Sequence, residues 1–199
     1  LSYGIPTFRL PREVVRFEVA MLKKMGVRFL KNVMIGKSIT VEELHKDFDV
    51  IYIGSGAGLP SPMNTPGEDL VGVYSSNEFL TRVNLMEAFK FPETDTPYFI
   101  GKKVVVVGGG NTAMDSARSA KRLGPDSVTL LYRRTRAEMP ARGEEVENAL
   151  EEGVKIDFLT APVELEGDEK GRLKKVKCIR MELCEPDEKG RRKVAPVKG

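Results

Sequence analysis

The chain has 199 residues, long enough for one large domain or one and a half smaller ones with a real hydrophobic core. Its 41% hydrophobic and 31% charged residues are ordinary for a globular protein, and no apolar run approaches the roughly 20 residues of a membrane span. A net charge of +3, with the basic clusters at 133–136, 172–177 and 191–193 interleaved with acids, makes no case for nucleic acid, and with no signal peptide visible a cytoplasmic protein is expected.

The opening residues 1–11, LSYGIPTFRLP, carry Pro6 and Pro11 and read as extended or turning backbone; with no initiator Met, they read as the middle of something longer. Residues 12–25 space Val14, Val15, Ala20, Met21, Leu22 and Met25 among charges, which predicts an amphipathic helix closed by Gly26. Residues 27–30 and 33–35 are short strand candidates. Thr40 with Glu43 predicts a capping box opening a helix to about Lys46, whose polar end leaves His45 in solvent. Residues 49–53, DVIYI, predict a buried strand, so helix and strand alternate as in an α/β layer.

That strand runs into Gly54, Ser55, Gly56, Ala57 and Gly58. Pro60 and Pro62 exclude a helix after them that would carry a phosphate on its first turn. Two readings stay open for these glycines, a close backbone approach to a cofactor or another domain, and a plain turn. Residues 64–101 hold a Pro66-Gly67 turn, a short helix from Asn77 and a connection containing Pro92 and Pro97, which places a domain boundary near Lys102.

The most informative stretch is KVVVVGGGNTAMD at 103–115. Val104, Val105, Val106 and Val107 form an apolar, β-branched run too short for a helix, as expected of a parallel strand buried on both faces. Gly108, Gly109 and Gly110 allow a sharp turn, Gly110 a close approach to a ligand, and Asn111, Thr112 and Ala113 open a helix ending near Leu123. The spacing Gly108-x-Gly110-x-x-Ala113 is the dinucleotide-binding fingerprint with alanine in the third place. Amide N–H groups at such a helix start, and the helix dipole, favour a pyrophosphate.

Residues 127–132, SVTLLY, predict a second strand, and the residues at its end decide the cofactor. NAD sites usually place an acid about 20 residues beyond the glycines to hold the ribose hydroxyls. Here Arg133 and Arg134 stand instead, with Arg136 and Arg142 close by. Guanidinium presents a planar fork of donors to a 2′-phosphate, so NADP(H) is favoured; the competing reading is two solvated loop arginines. A helix over 142–152, a third strand at 154–159 and a β-meander of 163–166, 173–184 and 192–197 complete the chain. Cys178 and Cys184, five residues between them, form neither a CxxC pair nor a metal site with the single His45, so no metal ligand set is expected.

Five ordered stretches resemble one family: YGIPTFRLP at 3–11, IGSGAGLP at 53–60, GVYSSNEFLTRVNLM at 72–86, VVVVGGGNTAMD at 104–115, and YRRTRAEMPAR with EEGV within 132–154. The family is that of the small (beta) subunit of NADPH-dependent glutamate synthase, with the electron-input part of dihydropyrimidine dehydrogenase and the large subunit of NADH-dependent ferredoxin:NADP oxidoreductase. The resemblance implies an α/β fold in which a Rossmann-like NADP-binding domain, at 102–199, comes after part of a second Rossmann-like FAD domain and a connection, at 1–101. It implies that Gly108, Gly109, Gly110, Asn111, Thr112 and Ala113 hold the pyrophosphate and Arg133 and Arg134 the 2′-phosphate, with Gly54, Gly56 and Ala57 near the flavin. Hydride would pass from NADPH to FAD and electrons onward to iron–sulfur clusters of a partner, with no acid–base residue required. The family's FAD fingerprint, cluster-binding cysteines and flavin-contacting return are not seen, so the chain is expected to be an internal fragment without bound FAD, inactive alone and prone to self-association through its truncated face.

Overall fold

The computed structural model of the chain describes residues 1–56, 58–186 and 192–197. Two compact units are present, one formed by Pro11–Pro60 and the other by Leu1–Leu10 with Ser61–Gly199. The boundary drawn from sequence near Lys102 falls inside the second of these.

The Pro11–Pro60 unit contains α1 (Arg12–Lys24) and α2 (Val41–Asp47), both foreseen from their patterns. The Thr40 hydroxyl accepts the Glu43 amide at 3.1 Å while the Glu43 carboxylate accepts the Thr40 amide at 2.8 Å, a complete capping box that holds the Glu43 carboxyl below its ordinary range. Neither helix buries a residue. The strands expected at 27–30, 33–35 and 49–53 do not form; only an isolated Ile35–Ile39 bridge does. Far from buried, Val50, Tyr52 and Ile53 are 83%, 92% and 79% exposed. The physical reason is that a strand is completed by its neighbours, and no described residue pairs with 49–53.

In the larger unit, α3 (Ser76–Asn84) starts on Ser75, whose hydroxyl accepts the Glu78 amide. Beyond it β1 (Lys103–Val107), α4 (Asn111–Arg122), β2 (Ser127–Tyr132), α5 (Gly143–Glu151) and β3 (Lys155–Phe158) alternate. The three strands are parallel in the order β1-β2-β3, which needs a crossover between each pair, supplied by α4 and α5. Ala113, Ala117 and Ala120 are small residues one turn apart, so α4 lies close on the sheet and buries Met114 fully against Val128 and Leu130. Val146 and Ala149 of α5 and Val154 close the same core. Burying Leu130 or Met114 contributes about 1.5–3 kcal/mol each.

One expectation for β1 is corrected. Val104 and Val106 pack against this core, but Val105 and Val107 are 40% and 38% exposed. As the edge of a three-stranded sheet, β1 has one neighbour and one uncovered face, whereas the central β2 buries Val128, Leu130, Leu131 and Tyr132.

The meander is present as β4 (Thr160–Gly167), β5 (Leu173–Pro186) and β6 (Arg192–Pro196), all antiparallel. The segment around Pro66-Gly67 runs along it: the Leu165 amide donates to Pro66 O at 2.8 Å and the Leu173 amide to Val71 O at 2.9 Å. A Cβ on Gly67, at φ +89°, would stand 2.2 Å from Leu165 O, so only glycine fits that crossing.

Candidate dinucleotide site

The glycine turn lies at the carboxyl ends of β1 and β2, where open α/β sheets bind nucleotides. Gly108 has φ +139°, its amide donates to Leu131 O at 3.1 Å, and a Cβ there would stand 3.2 Å from Ala113 Cβ. That contact explains the alanine in the fingerprint's third place. At Gly109 a Cβ would meet the Tyr132 ring at 2.5 Å, so the protein's own packing excludes any side chain. Gly110 differs, because beyond its own chain neighbours no atom of the described residues lies within 4 Å of where its Cβ would be. Its bareness leaves open space at the start of α4, as a phosphate approaching the backbone requires.

Gly110 O accepts the Ala113 and Met114 amides, no side chain caps α4 and its first turn holds no acid. The amides of Asn111 and Thr112 have no protein acceptor among the described residues, leaving two donors and the positive end of the dipole for an anion.

Arg133 comes directly after Tyr132 at the end of β2 and is exposed, and it forms no ion pair among the described residues. Arg134 is half-buried; its backbone carbonyl accepts the Leu159 amide at 3.2 Å, while its Nε is enclosed without a hydrogen-bond partner. Arg136 is committed to Glu147. The stretch between β2 and α5 is shaped by the Tyr132 hydroxyl donating to Glu138 O at 2.7 Å and by a capping box between Thr135 and Glu138. Hydrogen bonds from Thr135 hold the Glu138 carboxyl below its ordinary range. At its far end the Ala141 amide donates to Gly109 O, and the Arg142 amide to Asn111 Oδ1, each at 3.0 Å. Thus 108–113 and the arginine-bearing stretch form one constellation, with unpaired donors at both parts. Both parts fit NADP(H).

Gly54 and Gly56 lie in the Pro11–Pro60 unit, and Ala57 lies outside the described residues. Among the described residues and beyond chain neighbours, a Cβ added at Gly56 or Gly58 would meet nothing within 4 Å, and one at Gly54 would meet the Tyr52 ring at 3.0 Å.

A network behind the site was not foreseen. Arg9 Nη1 donates to both carboxylate oxygens of Asp115, each at 2.7 Å, across 106 positions of sequence. Arg118 pairs with Glu145 and Glu152, Arg122 with Glu152, and the Phe8 ring packs under both guanidinium groups, 4.5 and 4.1 Å from its centroid. Burial pushes the Asp115 carboxyl up although Arg9 pulls the other way. At Glu152 burial alone would raise the carboxyl, but hydrogen bonds from Arg122 and Arg118 hold it below its ordinary range. The only sequence signal was an acid on the buried face of a helix, which requires a cation.

The model of one protein family, pyridine nucleotide-disulphide oxidoreductase, matches residues 13–186. The chain belongs to that family. It is 43% identical to the NADP(+)-dependent formate dehydrogenase subunit beta of Moorella thermoacetica, covering 100% of this chain and 27% of that protein. To the glutamate synthase [NADPH] small chain of Escherichia coli it is 38% identical, covering 100% of this chain and 43% of the relative. The chain therefore spans about a quarter to under half of these relatives' length. Among solved structures, FprA of Mycobacterium tuberculosis in complex with NADPH superposes with a TM-score of 0.79 at 19% identity, over 100% of this chain and 57% of that one. This is the likeness of a fold, and it agrees with the α/β architecture expected from sequence. The disulphide in the family's name has no counterpart in Cys178 and Cys184. Both are free and sit six positions apart on β5, a separation of about 20 Å where a bridge tolerates about 7 Å.

Proposed function

We propose that this chain forms the NADPH-handling part of an oxidoreductase subunit that carries hydride from NADPH to FAD and electrons onward to iron–sulfur clusters of a partner such as that of glutamate synthase. One observation carries this reading: open space at Gly110, with two amides at the start of α4 that have no protein acceptor among the described residues, tied directly to a stretch bearing two arginines without carboxylate partners among those residues. Bound NADPH would supply the hydride and FAD would accept it. The chain's own contribution is binding and orientation. The Asn111 and Thr112 amides neutralise the pyrophosphate, Arg133 and Arg134 take the 2′-phosphate, and the Gly109–Tyr132 contact keeps the turn in one shape. Transfer between two cofactors requires no proton shuttle, so no side chain is assigned an acid–base role. Gly54, Gly56 and Ala57 belong to the flavin side of this proposal, and a cytoplasmic location without membrane or nucleic-acid contact accompanies it. No described helix is long and apolar enough to cross a membrane.

Equilibrium titration with NADPH and NADH tests the cofactor choice. NADPH binds at least about tenfold tighter, since each charge-assisted hydrogen bond to the 2′-phosphate is worth about 1.5–3 kcal/mol. An Arg133→Glu, Arg134→Glu double variant loses that preference. Equal binding before and after the change contradicts the assignment.

A second reading is favoured by the uncovered apolar side chains of Pro11–Pro60: a dinucleotide-binding module without redox activity of its own, which self-associates through those side chains. Flavin absorbance of the purified chain separates the two. Stoichiometric flavin defeats the module reading; none, with NADPH binding retained, supports it.

A further inference from the structure

We propose that Asn111 is a positioning residue for cofactor choice: its side-chain carbonyl pins the arginine-bearing stretch to the glycine turn and thereby sets the preference for a 2′-phosphate. This rests on the NADP(H) reading above. The stretch 133–142 enters from β2, which is locked to the glycine turn by the Gly108 amide on Leu131 O. Its interior is held by Tyr132 to Glu138, Thr135 to Glu138, Arg136 to Glu147 and the Leu159 amide donating to Arg134 O. None of these reaches the phosphate loop. At the exit two bonds among the described residues do, Ala141 amide to Gly109 O and Arg142 amide to Asn111 Oδ1.

An amide N–H can be accepted only by the oxygen of the Asn111 carboxamide. The oxygen is therefore committed to Arg142, which fixes the ring of atoms joining the first residue of α4 to the cap of α5. The Nδ2 group, which has no partner among the described residues, keeps its two donors for a phosphate oxygen. Asn111 thus acts on the pyrophosphate with one half of its side chain and on the arginines' position with the other.

The two roles separate in the ratio of NADH to NADPH dissociation constants, because pyrophosphate is common to both dinucleotides and the 2′-phosphate is not. Asn111→Ala removes the tie and lowers the ratio about three- to tenfold, the worth of one neutral hydrogen bond. Asn111→Asp keeps the acceptor while adding charge beside the pyrophosphate, so both affinities fall and the ratio stays at its starting value. A second pair of variants leaves Asn111 untouched. Arg142 has φ −62°, which proline adopts, so Arg142→Pro removes the N–H donor that Arg142→Ala retains. The proline variant shows the lower ratio, by a similar factor. A ratio unchanged in Asn111→Ala, together with equal ratios for Arg142→Pro and Arg142→Ala, overturns the proposal while leaving the NADP(H) reading intact. A ratio near unity before any substitution overturns both.

Discussion

Two stretches of this chain are written in nearly the same terms and fold differently. KVVVVGGG, at 103–110, and DVIYIGSG, at 49–56, each join an apolar, β-branched run to a glycine cluster. The first pairs with β2 over five residues, feeds a helix and places its glycines against Tyr132 and Ala113. The second pairs with no described residue and leaves Val50 and Tyr52 83% and 92% exposed. The difference lies in the surroundings. Next to the first run are another strand and a helix with alanines at one-turn spacing, so its backbone groups find partners and Val104 and Val106 find a surface. The second meets neither among the described residues. A strand pattern states a preference, and neighbouring backbone converts it into structure.

The comparison can be broken most forcefully in the core. Leu130→Ala deletes a fully buried side chain of β2 and costs about 2–5 kcal/mol, whereas Val50→Ala stays within about 0.5 kcal/mol. Urea denaturation of both variants measures the contrast. A Val50→Ala cost approaching that of Leu130→Ala would show that 49–53 is packed after all. The glycines sharpen the point with a smaller effect. Gly109→Ala drives a methyl group into the Tyr132 ring, costs about 1–3 kcal/mol and weakens NADPH binding by distorting the turn. Gly56→Ala meets no atom of the described residues beyond its chain neighbours, costs about 1 kcal/mol through its φ of +69° and leaves NADPH affinity unchanged. A large loss of NADPH affinity in Gly56→Ala would mean that the second cluster also reaches the dinucleotide.

The same division separates the parts of the molecule that were legible in sequence from those that were not. Local chemistry could be read directly: the capping box at Thr40 and Glu43, the bounds of β2 at Ser127–Tyr132, the helix begun by Asn111, and the hairpins of the meander. The fingerprint and the arginines after β2 were visible because the strand-turn-helix-strand order fixes where those residues stand. Contacts set by tertiary placement were not. Nothing local says that Arg9 meets Asp115, that Asn111 accepts the Arg142 amide, or that Gly109 is bare because of Tyr132 and Gly110 because of empty space. The failed strand at 49–53 belongs here too, since a two-sided apolar run carries no record of its neighbours.

The central claim, that the stretch after β2 reads a 2′-phosphate beside the glycine turn, is tested most directly with ligands that carry no nicotinamide. Calorimetric titration of adenosine 2′,5′-bisphosphate and adenosine 5′-monophosphate isolates the added phosphate. The bisphosphate is expected to bind at least about tenfold tighter, and Arg133→Glu with Arg134→Glu to abolish the difference. Equal affinities for the two nucleotides in the unsubstituted protein would contradict the account.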